Sequence, residues 1–269
     1  MARPKVRIEQ NARVIGSLGP MPETVVKSAG RTIRILELFD ELQRDATVVE
    51  IAEALGYPQS SCAALLRSLK LIGYLHYIPD RRSYIPTTRV SVLGNWVNRD
   101  VFGEGRLSLI LRALGEATGE TIMLAAQNGL LSQYIHVQQA PGPDAIHLMM
   151  GTTRPLIRSG TGYAILTRFK ESEITRIVLR SNAERPEAEP PVSVADVLAA
   201  VEDVRRSGYA YVGRSVITRG GAVLAMPLPL LPHSPPLAIA ICGHSRSMNA
   251  RKEELVALLD EHISRLPEV

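Results

Sequence analysis

Residues 47–86 read TVVEIAEALGYPQSSCAALLRSLKLIGYLHYIPDRRSYIP, and this stretch decides the amino-terminal fold. Thr47 followed three residues later by Glu50 is the spacing at which each side chain satisfies the other residue's free backbone amide, so a helix starts here. Val49, Ile51, Ala52 and Leu55 give that helix an apolar face. Gly56 permits a tight reversal and Pro58 suits the first turn of another helix. This second helix turns Leu65, Leu66, Leu69 and Ile72 inward before Gly73 stops it. Helices joined by so short a turn cross steeply. Past Gly73 the apolar period falls from about 3.6 to about 2 residues. Tyr74 to Ile78, a Pro79-Asp80-Arg81-Arg82 turn and Ser83 to Pro86 then form a β-hairpin with two arginines at its tip.

Upstream, Ile33, Leu36, Phe39 and Leu42, joined by Ile35 and Leu38, recur at helical spacing and predict a helix over 28–42. Residues 1–24 hold Arg3, Lys5, Arg7 and Arg13 among Pro4, Gly16, Gly19, Pro20 and Pro22, which reads as a flexible basic arm. The winged helix-turn-helix so defined spans 25–88. Residues 89–102, with Val90, Leu93 and Trp96, are expected to form a linker helix, and 103–269 a second domain. There the pattern predicts a helix at 106–117 and a hairpin, 121–127 and 131–138, about Asn128-Gly129. A strand near 145–150, helices near 160–169 and 171–180, and a surface loop at 183–191 follow. A helix capped by Ser193 and ended by Gly208 comes next, then strands at 209–214, 222–228 and 237–242 and a terminal helix at 248–265. The fold class is α+β, with an antiparallel sheet in the carboxy-terminal domain.

Composition bounds the chemistry. The chain has 269 residues, 45% of them hydrophobic and only 4% aromatic, so two cores built from aliphatic side chains are expected. No run is apolar enough for a membrane span or a secretory signal, which predicts a cytoplasmic protein. Cys62 and Cys242 fall in different domains and the six histidines are scattered, so neither a disulfide, a metal nor a cofactor is expected. Residues 1–90 carry 13 Lys/Arg against 9 Asp/Glu while the remainder carries 18 of each. The basic excess therefore sits where the winged helix lies, and it favours an anionic partner.

A winged helix-turn-helix fits its second helix into a DNA major groove about 12 Å wide. The residues placed to face base edges are Gln59, Ser60, Ser61, Ala63 and Ala64, with Arg67 one turn on. Gln59 suits an adenine edge, the serines suit bases or phosphates, and Arg67, Arg81 and Arg82 suit phosphates. The competing reading is a merely solvated helix face. In the second domain, Arg158-Ser159-Gly160-Thr161-Gly162 resembles a Gly-rich anion loop opening a helix. It is neither GxGxxG nor GxxxxGK[ST] nor GxSxG, and no catalytic constellation is visible. Free amides and the helix dipole favour a carboxylate or phosphate there; alternatively, the glycines serve only close helix packing.

Four stretches carry a more specific resemblance: VKSAGRTIRILELFDELQRDATVVEIAEALGYPQSSCAALLRSLKLIGYL, GTTRPLIRSGTGYAILT, SGYAYVGRSVITRGGAVLAMPLPL and PLAIAICGH. In this order they are similar to the IclR family of transcriptional regulators, across nearly all of the chain from Val25 to Leu266. The resemblance implies a dimer, or a tetramer as a pair of dimers, on a partly palindromic double-stranded DNA operator. It also implies a small-molecule effector in the carboxy-terminal domain. The chain departs from the family where Ala63-Ala64 replace a frequent basic or aromatic residue and where Arg214 lies near a usual acidic position. Val223 likewise stands for a frequent cysteine, and Ala240 and Cys242 for paired serines. The expected effector is a small organic acid or its amide, aromatic bodies included. Its head would meet Arg158, Ser159, Gly160, Thr161, Gly162 and Arg214, and its body Met123, Val223, Leu224, Met226, Ala240 and Cys242. Two rival readings are a small-molecule enzyme with an accessory DNA-binding domain and a non-specific DNA-coating protein.

Overall fold

A computed structural model describes residues 24–93, 106–142, 145–213, 220–230 and 234–266. The chain falls into two compact units, 1–97 and 98–269. The expected basic arm lies outside the described residues, as does all of the expected linker helix beyond Leu93, Trp96 included.

In the first unit, α1 (Lys27–Leu42) buries Ile35, Leu38 and Phe39. Ile33, expected inward, is instead 56% exposed. At about 100° per residue it stands some 200° from Ile35, so the two cannot share a face. After β1 (Ala46–Thr47), α2 (Val48–Leu55) opens on the reciprocal cap that the sequence predicts. The Glu50 amide donates to Thr47 Oγ1 at 3.2 Å and the Thr47 amide to Glu50 Oε2 at 2.8 Å. Ile51, Ala52 and Ala54 of this helix are buried, and Val49 faces solvent rather than the core. Gly56 takes the left-handed conformation at φ 65° and reverses the chain into α3 (Gln59–Leu71), which buries Cys62, Leu66 and Leu69. Ile72, expected to face inward, is exposed because the chain leaves the helix there. Strands β2 (Leu75–Ile78) and β3 (Ser83–Pro86) pair antiparallel from Leu75↔Pro86 to Ile78↔Ser83. They form the expected wing, and β1 adds a third strand on the far edge of β3, which a two-residue segment did not announce. The short helix α4 (Thr88–Leu93) follows.

The second unit opens on α5 (Arg106–Thr118) and the hairpin β4 (Thr121–Asn128) and β5 (Leu131–Gln138). Next come β6 (Thr153–Pro155), α6 (Gly160–Leu166), α7 (Glu171–Glu184) and α8 (Val194–Ser207). The chain closes with β7 (Ala210–Val212), β8 (Gly221–Pro227), β9 (Leu237–His244), α9 (Ser245–Ala250) and α10 (Lys252–Ile263). The six strands make one sheet in the order β6-β5-β4-β9-β8-β7, antiparallel throughout. The strand expected near 145–150 is absent. Gln139 instead holds the backbone of Leu148 from both sides through its side-chain amide, and pairing resumes only at β6. The expected terminal helix breaks at Arg251 into α9 and α10.

Side-chain alternation divides the sheet into two cores. Ile122, Leu124, Leu224, Met226, Ile239 and Ile241 pack toward Leu107, Leu111 and Leu114 of α5 and Leu255 and Leu259 of α10. The other face carries Met123, Ala125, Ala225, Ala238, Ala240 and Cys242 against α6, α7 and α8. Four alanines on this second face let α6 settle close to the strands, which positions the segment 158–162.

Candidate functional site

The surface expected to face DNA is built from α3 outward. Because Cys62, Leu66 and Leu69 anchor one face in the core, the opposite face turns Ser60, Ala64, Arg67 and Ser68 to solvent, with Gln59 exposed at the start. Ser61 and Ala63 flank this stripe and are half-buried. Pro58 occupies the N-cap and offers no side-chain acceptor, and no side chain among the described residues caps the helix start. Its first amides therefore lie at the positive end of a 13-residue helix on an exposed surface, the arrangement that receives a phosphate.

The wing tip is a 3-10 turn over Pro79–Arg81 closed by Arg82 in the left-handed conformation at φ 51°. The two tip arginines differ. Arg81 Nη1 lies 2.9 Å from Asp45 Oδ1, and the other oxygen of that carboxylate accepts the Ser83 hydroxyl. Arg81, expected to meet a phosphate, is here tied to Asp45. Arg82 and Arg67 are exposed and make no ion pair among the described residues.

The segment expected to hold an anion is arranged differently. Ser159 caps α6 itself: its Oγ accepts the Gly162 amide at 3.1 Å and donates to the Pro155 carbonyl at 2.9 Å. The Gly162 amide, expected to await a ligand, already has a partner. Gly162 is required by close approach, since a Cβ there would stand 2.1 Å from the Leu156 carbonyl oxygen. Gly160 lies against Val223 and Val212, where a Cβ would make ordinary contact at 3.4 Å. Thr161 is buried and its Oγ1 accepts the Ser132 hydroxyl at 2.9 Å. Arg158 turns away to donate to the Pro190 carbonyl and sits 4.0 Å from Glu189, so it does not flank the helix start. Arg214 lies outside the described residues.

Of the strand residues, Met123, Val223, Ala240 and Cys242 do come together. Met123 is opposite Ala240 and Val223 opposite Cys242 in the register, all on the face that α6 covers. Met226 and Leu224 do not join them; they point through the sheet into the core beneath α5 and α10. Burial pushes the Cys242 thiol up to about 12 and the Cys62 thiol up to about 11, so both are neutral thiols at ordinary pH. Sequence reasoning missed Ser132, the hydroxyl partner of Thr161, and Tyr134 and Leu148, which close the same face. Among the described residues no cluster of His, Cys, Asp or Glu suits a metal ion, and no helix is long and apolar enough to cross a membrane.

A winged helix-turn-helix ahead of a helix-flanked antiparallel sheet defines a two-unit DNA-binding transcription regulator. Residues 28–79 match the family model of the IclR helix-turn-helix domain, and residues 104–265 that of the bacterial transcriptional regulator IclR C-terminal domain. The chain belongs to the IclR family. It is 25% identical over 191 residues to the transcriptional repressor IclR of Escherichia coli, 69% of each chain being covered. Against the transcriptional regulator XynR of the same organism it is 22% identical over 189 residues, 69% of this chain and 74% of that one. In fold it is similar to the crystal structure of Thermotoga maritima IclR, with a TM-score of 0.58 at 20% identity, covering 89% of this chain and 97% of the other.

Proposed function

We propose that this regulator reads a specific, partly palindromic operator as a dimer, or as a pair of dimers, and that a small organic acid or its amide sets its affinity. The observation that carries the first half is the uncapped, exposed start of α3 with Gln59 and Ser60 on it. The amides there and the exposed Arg67 and Arg82 position the helix on phosphates, and Gln59 offers a bidentate contact to an adenine edge. One winged helix covers little DNA, so two-fold symmetry in the protein matched by two half-sites supplies the specificity.

The effector reading rests on the face shared by Met123, Val223, Ala240 and Cys242, with the Ser132–Thr161 hydroxyl pair at its edge. The hydroxyls serve a polar head and the aliphatic patch an apolar body. Since Met123, Ala240 and Cys242 are fully buried under α6, a ligand reaches them only by shifting α6 against the sheet. That movement is what allows it to bind DNA-competent and incompetent arrangements unequally, the condition for any regulation.

Two measurements test the reading. Gln59→Ala is expected to change preference between operator variants by about 1–3 kcal/mol, the value of a good bidentate base contact; equal weakening at every site removes Gln59 from base readout. For the effector, operator affinity is measured with a panel of aliphatic and aromatic acids and their amides, and any active compound is retested on Thr161→Val. If no compound moves operator affinity, or if Thr161→Val leaves the response intact, the α6 face is not the effector site.

A further inference from the structure

A surface cleft of about 400 Å³ opens on the second unit. Its walls are the tip of the β4–β5 hairpin, the 3-10 turn ahead of α6, and the end of α7 with the loop that follows. Leu130, Leu131, Pro155 and Ile157 give it an apolar floor. Three guanidinium groups, Arg158, Arg180 and Arg185, line it against two carboxylates, Glu184 and Glu189, leaving one positive charge in excess.

The guanidiniums are not saturated among the described residues. Arg180 uses its Nε on Glu184 Oε1 at 2.6 Å, which leaves both terminal nitrogens open. Arg185 donates from Nε to the Glu189 carbonyl at 2.8 Å and from Nη1 to the Asn182 carbonyl, leaving Nη2. A guanidinium carries five N–H donors in a planar fork that fits a carboxylate bidentately. The loop wall is also built rather than slack: Asn182 holds Val192 through both its side-chain atoms, at 2.8 and 2.9 Å. Finally, Ser181 lines the cleft with a buried hydroxyl that has no hydrogen-bond partner among the described residues. Buried hydroxyls are almost always paired, and an unpaired one costs stability until something bonds to it.

We propose that this cleft is a second binding site, one that takes a small organic anion with an apolar body. The body lies on the leucine and proline floor, the carboxylate takes the open N–H groups of Arg180 and Arg185, and the Ser181 hydroxyl gains a partner. A volume of this size is in the range of small-molecule sites, roughly 300–1,000 Å³. The inference does not depend on the effector reading, because the cleft shares no residue with the face of Met123, Val223, Ala240 and Cys242.

The test is calorimetric titration of the full chain with 4-phenylbutyrate, using 4-phenylbutyramide and 4-phenylbutylamine as neutral and cationic counterparts. Saturable binding of the acid is expected, with the amide and amine at least tenfold weaker. Arg180→Gln/Arg185→Gln is expected to weaken the acid at least tenfold, and Arg206→Gln, an exposed arginine paired with Asp203 outside the cleft lining, to leave it unchanged. Ser181→Ala is expected to weaken it too, while the ligand-free melting temperature stays level or rises, which a merely structural serine would not allow. Absence of saturable binding, equal binding of acid and amide, or loss of binding with Arg206→Gln but not with the arginine pair overturns the proposal. Operator affinity has no part in the readout, so failure of the effector reading leaves this one standing.

Discussion

Two helix starts in this molecule look alike in sequence and are opposite in physics. Both α3 and α6 open on small polar residues, Gln59-Ser60-Ser61 in one and Ser159-Gly160-Thr161-Gly162 in the other. At α3 the N-cap is Pro58, no side chain among the described residues returns to the first amides, and the surface is exposed. At α6 Ser159 caps from within, and Gly160, Thr161 and Gly162 are buried. The dipole is present in both, but only an exposed, uncapped start has amides to offer a phosphate. The amino-terminal unit thus leaves its helix start open, whereas the carboxy-terminal unit uses its own to lock a helix onto a sheet.

The largest effect that bears on this contrast is expected at Gly162. A methyl group there meets the Leu156 backbone at 2.1 Å from the carbonyl oxygen and 2.5 Å from Cα, and a backbone of that kind has nowhere to go. Gly162→Ala is expected to destabilise the second unit by about 3–5 kcal/mol, at the upper end for point substitutions, as read by denaturant unfolding. Gly160→Ala, whose nearest neighbours are valine side chains at 3.4 and 3.5 Å, is expected to cost about 1 kcal/mol or less. If the two substitutions behave alike, the α6 start is open rather than packed and the contrast fails.

How far the sequence could be read follows from the range of each interaction. The Thr47–Glu50 cap, the Gly56 reversal and the wing are local, and all are legible from residues a few positions apart. Helix phase was less so, because Ile33 and Val49 are apolar at plausible spacing and only the partner elements decide which face is inner. Strand parity alone would have separated Met226 from Val223, since residues three apart in a strand point to opposite faces. Arg158 could not be placed from sequence: its partners Glu189 and Pro190 lie more than 30 positions away in a loop whose path is set by Asn182. That the Ser181 hydroxyl has no partner among the described residues is a tertiary fact with no sequence signal at all.

A smaller effect is expected at the caps. Ser159→Ala removes the acceptor for the Gly162 amide and the donor to Pro155, and loss of an N-cap of this kind costs about 1 kcal/mol. Ser60→Ala, at the corresponding exposed start of α3, is expected to change stability by no more than about 0.5 kcal/mol while weakening DNA binding. Thermal melting paired with operator titration separates the two. A serine on α3 that matters for folding, or one on α6 that does not, reverses the assignment of presenting and packing starts.

The smallest effect lies in the wing, and it splits the two arginines that the sequence treats as equals. Arg82 is exposed with no ion pair among the described residues, whereas Arg81 is held 2.9 Å from Asp45. The Ser83 hydroxyl, and after it the Arg81 guanidinium, holds the Asp45 carboxyl below its usual range, so the pair stays charged on both sides near neutrality and presents little net charge to DNA. Each phosphate neutralised releases counterions and contributes about 0.9 to the slope of log affinity against log salt. Arg82→Gln should therefore lower the magnitude of that slope by about 0.9. Asp45→Asn, which frees Arg81, should raise it by a similar amount. Arg81→Gln should weaken binding through the carboxylate it leaves unpaired, and adding Asp45→Asn to it should restore the wild-type slope. Equal slopes for Arg81→Gln and the Arg81→Gln/Asp45→Asn pair would mean that the Asp45 contact breaks when DNA binds, and that both arginines then reach phosphates.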